Sequence, residues 1–183
     1  LEDRIDLQLC DYRDMTGSFD RIISIEMLEA VGHAYFNSYF ETVDRLLQPD
    51  GRAAIQVITI PDQRYENYRS KPDWIQKRIF PGGMLPSLAV MSRAVASRTS
   101  LNIMAVENLG PHYARTLNRW HERFDTVTKQ LAEIGFDTKF QRMWSYYLSY
   151  CEAGFQEGAI HVLQLALSKP GDPGPAPLIF TAD

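Results

Sequence analysis

The sequence predicts one α/β domain built on an open, mostly parallel sheet with helices on both faces. Two short apolar runs rich in β-branched residues, Phe19 to Met27 and Arg52 to Ile60, have the length and composition of buried strands. Between them, apolar residues recur at helical spacing from Ala34 to Leu47. Strands that alternate with helices of this size are typical of parallel sheets covered by helices. A chain of 183 residues can bury the core of one such domain but not of two.

The rest of the chain divides into elements by the same patterns. Pro and Gly are dense after residue 170, so we expect a domain of residues 1–170 and a flexible tail of residues 171–183. The other predicted elements are, in order, a half-buried strand (Ile5 to Leu9), an irregular stretch (Asp62 to Arg78), a helix capped by Ser87 that ends at Arg98, a strand (Leu101 to Leu109), two helices (about Tyr113 to Ile134 and Asp137 to Gln156) and a strand (Ile160 to Ser168).

Composition and charge exclude several classes of function. A net charge of −4, from 19 basic and 23 acidic residues, disfavours a nucleic-acid partner. No apolar run reaches the roughly 18–20 residues that cross a bilayer, and no signal peptide is visible. The two cysteines, Cys10 and Cys151, cannot form a disulfide framework, which indicates a reducing compartment. The histidines lack metal-ligand spacing, so we predict a cytoplasmic protein without a metal site.

Polar side chains follow two of the predicted strands, where a parallel sheet commonly binds its ligand. Glu26 and Glu29 come at the end of the first buried run, and a carboxylate at that depth needs a partner or a ligand. From the residues alone, an alternative interpretation is that Glu26 or Glu29 caps the next helix. Asp11, Tyr12 and Arg13 follow the preceding strand, where a nucleotide's ribose or adenine can bind, although an ordinary surface turn has the same pattern.

Two further patterns have both a functional and a structural interpretation. Arg115, Arg119 and Arg123 recur at steps of four on one helix face, which predicts either a solvated surface or a patch that meets anionic lipid head groups. Several aromatic residues fit either a lipid tunnel or ordinary core packing. They are Phe80, Trp120, Tyr146, Tyr147 and Phe155.

Seven stretches, taken together and in order, carry a family resemblance between about Ile5 and Pro170. They are Cys10 to Asp14, Phe19 to Gly32, Tyr39 to Phe40, Asp44 to Gly51, Ile79 to Ser87, His112 to Leu117 and Trp144 to Cys151. These stretches resemble the cyclopropane-fatty-acyl-phospholipid synthase family, which includes the mycolic acid cyclopropane synthases and related lipid methyltransferases.

The resemblance implies a Rossmann-like class I methyltransferase fold with S-adenosylmethionine as the methyl donor. The family's Gly-rich cofactor loop lies upstream of the matching region. We therefore expect that the N-terminal part of the fold is missing here and that this chain is inactive on its own. Tyr12 and Arg13, with the adjacent Asp11, match the adenine side of the family's cofactor site.

The resemblance also implies roles in catalysis. In the family, the double bond of an acyl chain attacks the donor methyl, and a bound bicarbonate then removes a proton so that a cyclopropane ring closes. Glu29, Tyr113 and the backbone N–H of Ile58 match the groups that hold the bicarbonate. Gln56 stands where many members carry histidine, and its amide can bind an anion but cannot titrate. Cys151 matches a family cysteine once regarded as catalytic, and a buried structural cysteine is the alternative.

These implied roles predict an enzyme that forms cyclopropane rings on unsaturated phospholipid acyl chains. It would be a cytoplasmic protein that lies peripherally at the inner membrane surface, with a homodimer left open. Because Gln56 replaces histidine, methyl branching without ring closure is an alternative product. An alternative from another class is a non-catalytic lipid-binding fragment.

Overall fold

The computed structural model describes residues 2–172, in which a four-stranded sheet is flanked by helices. The strands lie in the spatial order β1-β2-β4-β3. Short 3₁₀ turns precede the first strand and the first helix. The strands are β1 (Phe19–Ile25), β2 (Leu47–Thr59), β3 (Asn102–Asn108) and β4 (His161–Ser168), and the helices are α1 (Phe36–Leu46), α2 (Asp62–Ser70), α3 (Trp74–Arg78), α4 (Leu88–Arg98), α5 (Gly110–Thr126), α6 (Thr128–Glu133) and α7 (Thr138–Gln156).

Helices cover both faces of the sheet, as the sequence predicts. Ile55 and Val57 of β2 belong to a core cluster with α1 and α4, whereas their neighbour Ile58 packs against a second cluster with α5 and α7. Successive residues of a strand point to opposite faces, so the two helix pairs lie on opposite sides. The α/β class predicted from the sequence is therefore confirmed.

The direction of the strands differs in part from the prediction. β1 and β2 are parallel, but β4 lies antiparallel to both β2 and β3. In the described residues the sheet therefore has one parallel and two antiparallel pairings. The sequence could not reveal this, because a strand covered on both faces has the same apolar pattern in either direction.

Three predicted elements are wrong in part. Ile5 to Leu9 forms no strand, and its side chains Leu7 and Leu9 are fully exposed. The stretch predicted to be irregular folds into α2 and α3, and a capping box of Asp73 with Gln76 begins α3. The first predicted long helix is divided into α5 and α6 at Val127.

The other predicted boundaries agree closely with the structure, except that β2 begins at Leu47 and not at Arg52. Ser87 caps α4, since its hydroxyl accepts a hydrogen bond from the backbone N–H of Val90 at 3.4 Å. α7 begins after Asp137, whose carboxylate accepts from the N–H of Phe140 at 2.8 Å. Residues 173–183 of the predicted tail lie outside the described residues.

Candidate active site

The candidate site lies at the carboxyl ends of β1 and β2. Glu26 follows β1 directly, and Glu29 lies in the 3₁₀ turn that comes next. Gln56 and Ile58 are near the end of β2. Because β1 and β2 are parallel, with Ile25 opposite Gln56, both strands bring these side chains to the same edge of the sheet. The backbone N–H of Glu26 donates to the carbonyl oxygen of Gln56 at 2.8 Å, which ties the two strand ends together.

Tyr113 reaches the site from the first turns of α5. This helix begins directly after β3, with Pro111 in its first turn, where proline needs no hydrogen-bond partner. The side chain of Asn108 accepts from the N–H of Gly110 at 2.9 Å and so fixes the start of the helix. The ring of Tyr113 packs against that of Phe155 with centroids 5.4 Å apart. The inward orientation predicted for Tyr113 is confirmed by its half-buried side chain.

Glu29 is held by the backbone around it. One carboxyl oxygen, Oε1, accepts from the N–H of Ile58 at 2.5 Å. The other, Oε2, is buried without a hydrogen-bond partner in residues 2–172. Burial raises the pKa of Glu29, while the hydrogen bond from Ile58 lowers it, and the nearby charge of Glu26 raises it further. Helix capping is excluded for both acids, because α1 begins without any side-chain cap.

Glu26, Gln56 and Tyr113 form one hydrogen-bonded cluster. The Tyr113 hydroxyl donates to Oε1 of Glu26, and Gln56 Nε2 donates to the same oxygen at 3.0 Å. Gln56 Nε2 also donates to the Tyr113 hydroxyl oxygen at 2.7 Å. Gln164 of β4 donates from Nε2 to Gln56 Oε1 at 2.7 Å, so the amide group of Gln56 faces Glu26. Burial, then the hydrogen bond to Glu26, raises the pKa of Tyr113, which therefore remains a proton donor.

Glu26 adopts a backbone conformation that residues other than glycine rarely adopt. Its φ angle is 50°, and among the described residues no other non-glycine residue has a positive φ. This region costs an L-residue about 1–2 kcal/mol, and such outliers gather at functional sites. From the sequence, Glu26 is an acid at a strand end without an assigned role in catalysis. The signal was its place directly after a buried run; its φ angle could not be read from the sequence.

Comparison with known proteins identifies the family. Residues 1–165 match the sequence model of the family described as mycolic acid cyclopropane synthetase. The chain belongs to this family. It is 45% identical to the tuberculostearic acid methyltransferase of Mycobacterium tuberculosis, over 93% of this chain and 40% of that protein. It is 35% identical to the cyclopropane-fatty-acyl-phospholipid synthase of Escherichia coli, over 90% of this chain and 41% of that protein. The chain thus spans about two fifths of these two relatives.

Solved structures of cyclopropane synthases have the same fold. A cyclopropane synthase from Mycobacterium tuberculosis superposes with a TM-score of 0.80 at 26% identity, over 92% of this chain and 64% of that one. A mycolic acid cyclopropane synthase complexed with SAH and CTAB gives 0.79 at 27% identity, over 88% of this chain and 59% of that one. The class I methyltransferase fold implied by the resemblance is confirmed.

The three residues that match the family's cofactor site lie in a loop beside α1. The Asp11 carboxylate accepts from the Arg13 backbone N–H and Nε, both at 2.9 Å, and from Nη2 at 2.7 Å. This side-chain pairing lowers the pKa of Asp11 to about 2. Tyr12 packs on Tyr39, whose hydroxyl donates to Ser24 of β1 at 2.7 Å. The loop is therefore connected to the strand that carries the acids, and its role in cofactor binding stays a prediction.

Cys151 lies on α7, beside Tyr147. Burial raises the pKa of its thiol to about 12, so the thiol is neutral near pH 7. A neutral thiol is a poor nucleophile, and the structure gives no support to the catalytic role implied for Cys151. That role stays a prediction.

The groups expected to hold bicarbonate already have partners in this structure. The N–H of Ile58 donates to Glu29, while Tyr113 and Gln56 donate to Glu26. A further anion among them would face two carboxyl groups, and like charges at short range repel. The arrangement of these residues does not favour bicarbonate, which stays a prediction from the resemblance.

Neither a cluster of metal ligands nor a membrane-spanning helix is found in residues 2–172. No three His, Cys, Asp or Glu side chains in this range lie together as metal ligands. None of the helices in the same range has both the length and the apolar character needed to cross a membrane.

Proposed function

We propose that the complete protein transfers the methyl group of S-adenosylmethionine to the double bond of an unsaturated phospholipid acyl chain. Membership of the family and the name of the Mycobacterium relative support methyl transfer to a lipid, and the name of the Escherichia coli relative supports a phospholipid as the acceptor. The observation that carries it is the pair of acids, Glu26 and Glu29, brought to one sheet edge beside aromatic side chains.

The acids suit the charge that this reaction creates. S-adenosylmethionine supplies an electrophilic methyl group when bound, and attack by a double bond leaves a positive charge on the acyl chain. Glu26 and Glu29 place negative charge at the site, and a poorly solvated environment strengthens its attraction for a cation. The rings of Tyr113 and Phe155 place apolar surface beside the acids, and limiting the access of water keeps it from trapping the cation.

The cofactor's adenosine end is assigned to Tyr12 and Arg13, with Asp11 holding Arg13 in place. Tyr12 offers a half-buried ring, and Arg13 an exposed guanidinium group. Tyr39 links this loop to Ser24 on the same strand as the acids. These contacts hold the loop beside the strand that precedes the acids, which supports its assignment to the cofactor.

Two products are compatible with the proposed reaction. Loss of a proton from the new methyl group closes a cyclopropane ring, which is the product after which the family is described. Methyl branching is the second candidate, because the relative with 45% identity is named a tuberculostearic acid methyltransferase and because Gln56 cannot titrate.

The membrane surface is the proposed place of action. Phospholipid acyl chains are reached there, and Arg115, Arg119 and Arg123 are exposed along α5, where they can meet anionic head groups. A cytoplasmic, peripheral protein at the inner surface fits this function. A homodimer is compatible with it and stays a prediction.

The test is transfer of label from methyl-labelled S-adenosylmethionine to vesicles of unsaturated phospholipid. We expect labelled acyl chains with the complete protein and none with residues 1–183 alone. Mild hydrogenation before mass analysis separates the products, since a ring resists hydrogen whereas a branched alkene takes it up. Absence of label with the complete protein would contradict the proposal and favour a non-catalytic lipid-binding function.

A further inference from the structure

We propose that Glu26 is the catalytic base, so that this protein carries its own proton acceptor and does not depend on bicarbonate. The inference rests on the proposed function, because the proton in question is released by the methylated acyl chain. It assigns to one side chain of this chain the task that the family resemblance implies for a bound anion.

Glu26 lies where the hydrogen-bond donors of the site converge. Its Oε1 is the point on which the Tyr113 hydroxyl and the Gln56 amide converge. These are two of the groups that the resemblance assigns to bicarbonate. The Glu26 carboxylate therefore takes up their hydrogen-bonding capacity. Its second oxygen, Oε2, accepts no hydrogen bond from residues 2–172 and is available to take a proton.

The neighbours of Glu26 are unsuited to the same task. Gln56 has no titratable group, and its oxygen is occupied by Gln164. Tyr113 keeps its proton and acts as a donor. Glu29 is half-buried, its Oε1 is bound by the N–H of Ile58, and its Oε2 is a buried atom. The Glu26 side chain is exposed within the described residues and can return a proton to solvent.

The backbone supplies an independent argument. A φ angle of 50° would be adopted by glycine without strain. An acidic residue at this position keeps its carboxylate at the junction of β1 and β2 in spite of that strain. Strain of this kind persists where the surrounding structure enforces it, which is the usual situation at an active site.

Glu26 takes up the proton that the reaction releases. Methyl transfer breaks the sulfur–methyl bond, forms a carbon–carbon bond and leaves a carbocation on the chain. Oε2 of Glu26 then takes a proton from the methylated chain. The electrons of the broken C–H bond close the ring or form a new double bond. Glu26 becomes a neutral carboxylic acid and later gives the proton to water.

The experiment compares Glu26→Gln and Glu26→Gly in the complete protein, with labelled S-adenosylmethionine and unsaturated phospholipid vesicles, in buffer freed of carbon dioxide. Glu133→Gln, on the exposed side of α6, is the matched control. We expect wild-type turnover to be the same with and without added bicarbonate. We expect Glu26→Gln to lose at least about 100-fold in turnover, the usual loss for a general base.

Glu26→Gly distinguishes a lost base from a lost fold. It relieves the backbone strain, and it leaves Tyr113 and Gln56 free to hold a small anion. Its turnover should therefore be low and should recover about tenfold or more when bicarbonate is added. Cofactor affinity and thermal midpoint should stay close to those of the wild type in both variants.

Two results would overturn the inference while leaving the proposed function intact. One is wild-type turnover that falls about tenfold or more when bicarbonate is removed; the other is a Glu26→Gln variant within about threefold of the wild type. If the wild type labels no lipid both with and without added bicarbonate, the proposed function is contradicted, and so is this inference.

Discussion

At the scale of single residues, the role of the Tyr113 hydroxyl can be tested by one substitution. It donates to Glu26 and accepts from Gln56, so its removal takes one hydrogen-bond partner from each, while the hydrogen bond from Gln56 to Glu26 remains. We expect Tyr113→Phe to lower turnover about 100-fold, as loss of one aimed donor typically does, with cofactor affinity unchanged. Initial rates of label transfer measure this, and Tyr150→Phe, an exposed tyrosine of α7, is the control. Equal rates for Tyr113→Phe and the wild type would remove Tyr113 from the site.

Glu29 makes the stability of the protein depend on pH. Burial raises its pKa above the ordinary value, so between that value and the raised one the folded state binds more protons than the unfolded state. The stabilisation that protonated Glu29 provides is complete at low pH and is lost as the pH rises through the raised pKa. We expect the thermal midpoint of the wild type, relative to Glu29→Gln, to fall as the pH rises above the ordinary glutamate pKa of about 4.3. A difference in thermal midpoint between the wild type and Glu29→Gln that stays constant with pH would contradict this prediction.

The two cysteines should differ in reactivity. Cys10 is exposed, whereas burial raises the pKa of Cys151 to about 12. At about pH 8, iodoacetamide should modify Cys10 and leave Cys151 intact, because only the thiolate reacts. Mass analysis of peptides from the wild type and from Cys10→Ser measures this. Alkylation of Cys151 as fast as that of Cys10 would instead support the catalytic role implied by the resemblance.

The sequence predicts part of this site and not the rest. The family resemblance named Glu29, Ile58, Gln56 and Tyr113, and the structure brings them together in two hydrogen-bonded groups at the ends of β1 and β2. The roles of Glu26 and of its partners could not be predicted, because they depend on a positive φ and on a contact with Gln164, which lies 108 residues after Gln56. Both are set by tertiary structure and leave no local pattern.

At the scale of elements, local patterns predicted the helices and strands well wherever they carried the core. β2 and α1 have apolar residues at the spacing of their buried faces, and both formed as expected. The alternation of Ile5 to Leu9 was misleading, since a strand needs a neighbour to pair with and none of the described residues provides one. α2 and α3 were missed because their polar, aromatic sequence has a weak helical period, although the Asp73–Gln76 capping box was available as a signal.

The exposed arginines of α5 give a prediction for the helix as a whole. If they meet anionic lipid, Arg115→Glu with Arg119→Glu should weaken binding to vesicles that contain anionic phospholipid, by about 1 kcal/mol or more per residue, and salt should reduce the difference. Arg93→Glu with Arg98→Glu, exposed on α4, changes the net charge equally on the other side of the sheet. Vesicle sedimentation measures both. If vesicle binding is weakened equally in the two variants, the effect comes from the net charge alone. The arginine face of α5 is then a solvated surface without a role in lipid binding.

At the scale of the whole molecule, the fold brings the residues of the candidate site together at the ends of its strands. Parallel β1 and β2 deliver the acids and Gln56 to one edge, and β4 between β2 and β3 supplies Gln164 from the far end of the chain. The α/β class could be predicted because strand and helix alternate along the sequence. The antiparallel β4 could not, because its direction depends on how α5, α6 and α7 return the chain and not on its own residues.

The most direct test of the account is label transfer from S-adenosylmethionine to unsaturated phospholipid by Glu29→Gln in the complete protein, beside the wild type and the control Glu133→Gln. We predict labelled acyl chains with the wild type and the control, and a loss of about 100-fold or more with Glu29→Gln, at an unchanged affinity for the cofactor. Lipid labelling by Glu29→Gln at the wild-type rate would contradict the placement of the active site at the ends of β1 and β2.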